Sequence, residues 1–226
     1  MLSSMNEQAV VRVKPNGPYE VSGGVPVYRR EAVESEHGEP LTWATTEELA
    51  SAALYALCRC GGSARKPFCD GTHARAGFDG AEAAPTDAYA ARATAYAGTG
   101  VVMEDDRALC EHAGFCGNRV SNVWKMLAGT DDSITRGEVI SMIERCPSGA
   151  LTYRLSADAP ANEPLLPAAI AAIKDGPLWL TGNVRVERAD GEPFETRNRV
   201  TLCRCGNSAS KPLCDGSHKA AGFRDG

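Results

Sequence analysis

The sequence has no long apolar run, and no stretch approaches the roughly 20 residues that a membrane helix requires. An excess of basic charge is missing as well. Lysine and arginine number 24 against 29 aspartates and glutamates, a net charge of −5, whereas a dedicated nucleic-acid binder carries a basic stripe. Aromatic residues make up only 6% of the chain, and much of its 43% hydrophobic fraction is alanine. Several small lobes supported by something else, such as bound metal, are therefore expected in place of one large core. The opening residues MLSSMNEQAVVRVK show neither the basic flank and apolar run of a secretion signal nor an Arg-rich amphipathic helix. The expectation is a soluble cytoplasmic protein that binds neither membrane nor nucleic acid. A nucleotide-binding glycine pattern, a Walker loop and a nucleophile elbow are all lacking, which argues against an enzyme acting on an organic substrate.

What is present is cysteine. Nine cysteines fall into three groups of three: Cys58, Cys60, Cys69; Cys110, Cys116, Cys146; and Cys203, Cys205, Cys214. An odd count speaks against a disulfide framework, and groups with none left over speak for soft-ligand metal centres.

Residues 57–78 and 202–223 align without gaps at an offset of 145, with 16 of 22 positions identical, so the chain contains an internal duplication. A weaker echo pairs GPYEVSGGVPV from Gly17 with GPLWLTGNVRV from Gly176, at an offset of 159. The first copy thus carries 14 extra residues, around EHGEPLTWATTEEL. Runs such as VVRV, YEV, VPVY, LWL and VRVERA read as strands between Gly and Asn turns. The extra piece reads as a helix, because Thr45 and Glu48 form a capping box ahead of Leu49, Ala52, Ala53 and Tyr55 or Ala56. Short helices are expected to begin near Asp70 and Asp215. The predicted fold class is α+β: a first half over 1–80 (strands 9–30, ligand loop 57–78), a linker over 81–97, an insert over 98–155, a Pro-rich linker over 156–168, and a second half over 169–226 (strands 178–202, ligand loop 202–223). The insert reads as β-α-α-β, with strands TGVVME and ALTYRL, a helix after Cys116 and another over 136–145, where Thr135 and Glu138 form a second capping box. His37 reads as a surface residue, and Trp43, Trp124 and Trp179 as core anchors.

Each loop has the pattern C-x-C-x8-C-x3-H. The C-x-C pair can grip one atom, and Cys and His four residues apart meet at a helix start. Zinc is one alternative, since Cys₃His is a common structural zinc set, although zinc ligand pairs typically have two to four intervening residues. The run CRCGGSARKPFCDGTH (58–73) and its repeat CRCGNSASKPLCDGSH (203–218) closely resemble the CDGSH iron–sulfur (mitoNEET-like) family. The resemblance covers 57–78 and 202–223. It implies one [2Fe-2S] cluster on Cys58, Cys60, Cys69 and His73 and another on Cys203, Cys205, Cys214 and His218, with the C-x-C pair on the inner iron and the Cys–His pair on the exposed one. The family motif also takes in Lys66 and Lys211. Ser63 and Ser208 could donate to cluster sulfurs, Pro67 and Pro212 fix the loop, Asp70 and Asp215 are natural N-caps, and Gly71 and Gly216 permit close approach. For Ser, Asp and Gly, plain turn chemistry is the competing reading. Members of the family are homodimers, so two motifs in one chain imply a monomer folded as an internal pseudo-dimer.

The middle group, Cys110-x5-Cys116 with Cys146-Pro147, resembles divergent single-cluster ferredoxins whose usual second cysteine is replaced here by Ala113. The resemblance leaves open a [3Fe-4S] cluster on three thiolates, a [4Fe-4S] cluster completed by His112 or by water, and three thiols without metal. Three such centres imply one-electron transfer with redox partner proteins. His73 and His218 at exposed irons would then couple reduction to protons near pH ~6.5. The competing function is a cluster carrier that serves apo-acceptor proteins, or a redox or pH sensor; a structural zinc module is the minor alternative.

Overall fold

The computed structural model describes residues 9–50 and 52–225, so the first eight residues of the N-terminal stretch lie outside it. In the first half the strands are β1 (Val10–Val13), β2 (Tyr19–Ser22), β3 (Val27–Glu34), β4 (Pro40–Ala50) and β5 (Leu54–Leu57), followed by the one-turn helix α1 (Thr72–Arg75). Helix α2 (Tyr89–Arg92) leads into β6 (Thr94–Gly98) and β7 (Val101–Asp105), then α3 (Val123–Met126), α4 (Ser133–Glu144) and β8 (Leu151–Arg154). The second half comprises β9 (Ala169–Ile173), β10 (Leu178–Thr181), β11 (Arg185–Glu187), β12 (Arg199–Leu202) and α5 (Ser217–Ala220).

The halves exchange strands. One sheet runs β11-β1-β2-β5 and the other β12-β10-β9-β3-β4. Each is antiparallel within its own half and is extended by the other through a parallel pairing: the first takes β11 against β1, and the second takes β3 against β9 with β4 antiparallel beyond it. The two sheets share one apolar core, in which Tyr19, Val21 and Leu57 of the first half meet Ile170, Leu178, Leu180, Val200 and Leu202 of the second. Burying each such side chain stabilises the fold by roughly 1.5–3 kcal/mol. The middle segment forms its own three-stranded sheet, β6-β7-β8. It has a separate core of Val101, Met103, Val123, Leu127, Val139, Met142, Ile143 and Leu151.

Several local expectations are corrected. The extra residues of the first copy form strand β4, paired antiparallel with β3, and no helix begins at Thr45. The β-branched and aromatic run Thr42-Trp43-Ala44-Thr45-Thr46 suits a pleated surface, and pairing along β3 overrides the capping box. Strand β6 belongs to the middle sheet, so residues 94–97 are not linker, and the insert is β-β-α-α-β. The all-alanine and isoleucine run of β9 is a fully buried strand, a burial that leaves it without the alternation that marks exposed strands. Helix α4 starts three residues earlier than its capping box suggests. Its N-cap is Asp132, whose carboxylate accepts from Thr135 N at 2.8 Å.

Candidate metal centres

Each copy of the motif is held as a loop between a strand and a one-turn helix. Strand β5 ends at Leu57, and Cys58 N donates to Pro67 O at 2.8 Å while Cys69 N donates to Ala56 O at 2.9 Å. The second copy repeats both contacts, Cys203 N to Pro212 O at 2.9 Å and Cys214 N to Thr201 O at 3.0 Å. The loop therefore folds back on its own strand and brings its first and third cysteines together. Inside it, Cys58 Sγ lies 3.7 Å from Cys60 Sγ, and Cys69 Sγ lies 3.4 Å from His73 Nδ1. Cys203–Cys205 and Cys214–His218 reproduce these distances, at 3.7 and 3.4 Å. The predicted donors are thus placed together in both copies, and all nine cysteines are free thiols. Backbone N–H groups point at the sulfurs: Gly62 N at Cys60 Sγ and Gly71 N at Cys69 Sγ, each at 3.4 Å, and Asn207 N at Cys205 Sγ at 3.5 Å. Such donors favour thiolates. The donor set, three soft sulfurs and one imidazole with N–H groups turned toward them, fits an iron–sulfur cluster or a soft metal ion.

The two loops also touch each other. Cys60 and Cys205 form a backbone bridge. A Cβ on Gly61 would lie 2.6 Å from Cys205 O, and one on Gly206 would lie 2.8 Å from Cys60 O. Both glycines have positive φ, so no other residue fits there without displacing the opposite loop.

The remaining motif residues build the loops. Ser63 Oγ donates to Phe68 O at 2.6 Å and Ser208 Oγ to Leu213 O at 2.7 Å. Their protons are committed to backbone, so the expectation that they donate to sulfur is corrected in favour of turn chemistry. Asp70 and Asp215 sit one residue before the N-cap, which is Gly71 or Gly216 in the left-handed region. Asp70 accepts from Ala64 N at 2.9 Å and Thr72 N at 3.0 Å, and these donors hold its carboxyl well below the usual range. Asp215 makes the same pair of contacts with Ala209 and Ser217. Gly216 does permit a close approach, with His112 Cδ2 2.9 Å from where its Cβ would be, whereas a Cβ on Gly71 would meet nothing within 4 Å. Pro67 and Pro212 follow cis peptide bonds. Lys66 places its ammonium over the Phe223 ring of the other half, and Lys211 Nζ donates to Ser208 O at 2.7 Å.

Burial separates the copies. Cys60, Cys69 and His73 are half-buried, and Cys205, Cys214 and His218 are buried. Burial pushes the Cys214 thiol up and lowers His218 to about 4. The close pair divides its proton: Cys203 is pushed up, first by its hydrogen bond to Cys205 and then by burial, while Cys205 is lowered to about 7.

In the middle segment, Cys110, Cys116 and Cys146 line a cavity of about 150 Å³, together with Glu111, Ala113, Phe115 and Pro147. Burial raises both Cys110 and Cys116. His112 also lines the cavity, but it is exposed, has φ of 62° and sets its ring against Gly216. The cysteines occupy the seam between the two cores: Cys110 and Cys146 pack on one, Cys116 and Cys146 on the other.

Four residues that build these sites were not legible as such. Arg59 and Arg204, the central residues of C-R-C, are buried and tie each loop to the first hairpin of its half. Arg59 donates to Lys14 O at 3.0 Å and Gly80 O at 2.9 Å, and Arg204 donates to Gly176 O at 2.7 Å and pairs with Asp225 at 2.6 Å. Their identity in both copies was the available signal. Tyr19 of the first half donates to Cys203 O at 2.7 Å in the second. Arg199, fully buried, donates to the carbonyls of Ile143, Glu144 and Cys146, each at 2.9 Å, and to Leu151 O at 3.1 Å. It thereby holds the chain around Cys146 against β12.

Two known families account for this arrangement. Residues 16–74 and 175–219 match the family described as "Iron-binding zinc finger CDGSH type", and residues 96–156 match "Divergent 4Fe-4S mono-cluster". The protein is an iron–sulfur protein with two CDGSH-type segments and a divergent mono-cluster domain between them. No curated protein and no solved structure matches the chain. Among the described residues, no helix is long and apolar enough to cross a membrane.

Proposed function

We propose that the chain is an electron-transfer protein holding three iron–sulfur clusters. Cys58, Cys60, Cys69 and His73 would hold one [2Fe-2S] cluster, Cys203, Cys205, Cys214 and His218 a second, and Cys110, Cys116 and Cys146 a [3Fe-4S] or [4Fe-4S] cluster. When bound, these groups supply one-electron chemistry. The observation that carries the reading is the repeated donor geometry, a thiol pair at 3.7 Å and a thiol–imidazole pair at 3.4 Å in both loops. In the first set Cys58 is buried while Cys60, Cys69 and His73 are half-buried, and His218 of the second set is buried, so His73 is the imidazole ligand within reach of a redox partner protein. Strand exchange and the contact between the two loops support an internal pseudo-dimer in a monomeric chain, and nine reduced thiols suit a cytoplasmic setting.

The test is an iron and acid-labile sulfide count with EPR before and after reduction. About seven to eight irons per chain are expected from this ligand set, and a colourless protein with stoichiometric zinc would overturn the proposal. The half-buried Cys69 and His73 pair favours one further reading, release of the first cluster to an apo-acceptor protein. Mixing the holoprotein with an apo-ferredoxin separates the two: transfer of iron to the acceptor supports the carrier, and reduction without transfer supports electron transfer.

A further inference from the structure

The second ligand set has a neighbour that the first lacks. Glu111, the residue after Cys110, is buried, and its carboxylate lies with Cys214 Sγ and a His218 ring nitrogen such that all three donor atoms are within 4.8 Å of one another. The approach is built in. Glu111 O and the His112 ring press on Gly216, where a Cβ would meet them at 3.0 and 2.9 Å, and the Lys219 ammonium donates to His112 O. At the equivalent place in the first copy, a Cβ on Gly71 would meet nothing within 4 Å. A groove of about 430 Å³, lined in part by Glu111, His218 and Lys219, supplies an entry path.

We infer that Glu111 is a reserve donor for the metal held by Cys214 and His218, able to take the place of His218 and so retain metal that the first set would lose. This deepens the proposed three-centre reading and rests on the second set holding a metal. Carboxylate oxygen joins cysteine and histidine as a donor to borderline metal ions, and the Lys219 ammonium, which lines the same groove, is the protein cation that acts on the buried Glu111 carboxylate. One chain segment thus carries a ligand of the middle set, Cys110, and the reserve donor of the second.

The test counts metal per chain in purified holoprotein for His73→Ala, His218→Ala and the double variant His218→Ala/Glu111→Gln. His73→Ala is expected to lose the metal of one set, His218→Ala to keep it, and the double variant to lose it. Loss from His218→Ala equal to that from His73→Ala would overturn the inference. So would retention in the double variant, which would assign the replacement to another donor. Should His218→Ala not fold, Glu111→Gln in the His73→Ala background decides. Chelator-driven loss from the second set is then expected to be about tenfold faster than in His73→Ala alone, the scale seen for outer partners of a metal site, and an unchanged rate would overturn it. Iron and sulfide in the unaltered protein report on the three-centre reading separately. Zinc there would defeat that reading and leave this comparison intact.

Discussion

Strands β5 and β12 occupy equivalent places before the two ligand loops, yet they live in different surroundings. β5 begins at Leu54, which is 68% exposed, whereas β12 begins at Arg199, which is wholly buried, and every residue of β12 is buried. The difference continues through the loop, from half-buried Cys69 and His73 to buried Cys214 and His218. The loops are nearly the same in sequence, and their internal distances agree. What separates them is the middle domain, whose Glu111–His112 turn presses on the second loop at Gly216, while a Cβ on Gly71 of the first loop would meet nothing within 4 Å. Duplication therefore supplies the same donors twice, and the inserted domain decides how much water each set meets. Exposure tunes both potential and lability of such centres, so two equal loops are turned into two unequal ones.

The largest effect should come from breaking the contact that makes them unequal. Arg199→Ala removes the donors to Ile143, Glu144, Cys146 and Leu151 and leaves the Glu163 carboxylate, 2.6 Å away, without its cation. A loss of about 3–5 kcal/mol is expected, the usual cost of removing one partner of a buried ionic network. Leu54→Ala at the matching place should stay within about 0.5 kcal/mol. Urea unfolding of the two variants checks the pair, and similar losses would remove the asymmetry argued above. Next come the C-R-C arginines. Arg204→Ala removes the nearer of two cations from the buried Asp225 and leaves it Arg29 at 3.2 Å, for about 3 kcal/mol. Arg59→Ala breaks no ion pair among the described residues and loses hydrogen bonds to carbonyls and its place over the Tyr19 and Phe78 rings, for about 1.5–3 kcal/mol. Equal unfolding midpoints would mean that the Asp225 pair adds nothing.

How much of this was legible in the sequence follows from what kind of interaction each feature depends on. The two repeated ligand sets are local, each within sixteen residues, and their spacing points to the donors that the fold brings together. The duplicated strands were legible from Gly-bounded β-branched runs, because propensity and pairing agree there. Residues 45–50 misled because Thr45 and Glu48 satisfy a local helix rule while the preceding strand β3, folded back as a hairpin, offers a ladder. The environment of each loop was the least legible. That Arg199 is buried and Leu54 exposed depends on a domain inserted some 45 residues earlier, and no local pattern marks Glu111 as the residue that lies against Cys214 and His218.

Two smaller effects sharpen the comparison from the middle domain's side. Trp43, on the strand that only the first copy possesses, stacks on Phe115 at 4.7 Å and Trp179 at 5.2 Å and donates to Arg145 O. It clamps the Cys110–Cys116 loop from the first half. Trp43→Ala should cost about 1–3 kcal/mol, from two aromatic contacts of about 0.5–1.5 kcal/mol each, and should speed chelator removal of iron from the middle set without touching the first. Removal speeded equally from all sets would show general loosening in place of a clamp.

The smallest effect concerns Asp132, which caps α4 with a true side-chain bond, unlike the glycines before α1 and α5. Its carboxylate accepts from Thr135 N at 2.8 Å and Thr135 Oγ1 at 2.9 Å, and these donors, the backbone one first, hold its pKa below the ordinary value. Because the folded pKa is depressed, the cap's contribution is complete above the unfolded value of about 3.9. It is lost as pH falls through the lower folded value. Asp132→Asn keeps an acceptor but removes the charge, so its melting temperature should lie slightly below that of the unaltered protein at neutral pH and converge with it on acidification. Thermal melts at neutral pH and below about pH 3.5, under the unfolded value, measure this directly, and a gap that widens in acid would contradict the assignment of Asp132 as the charged cap.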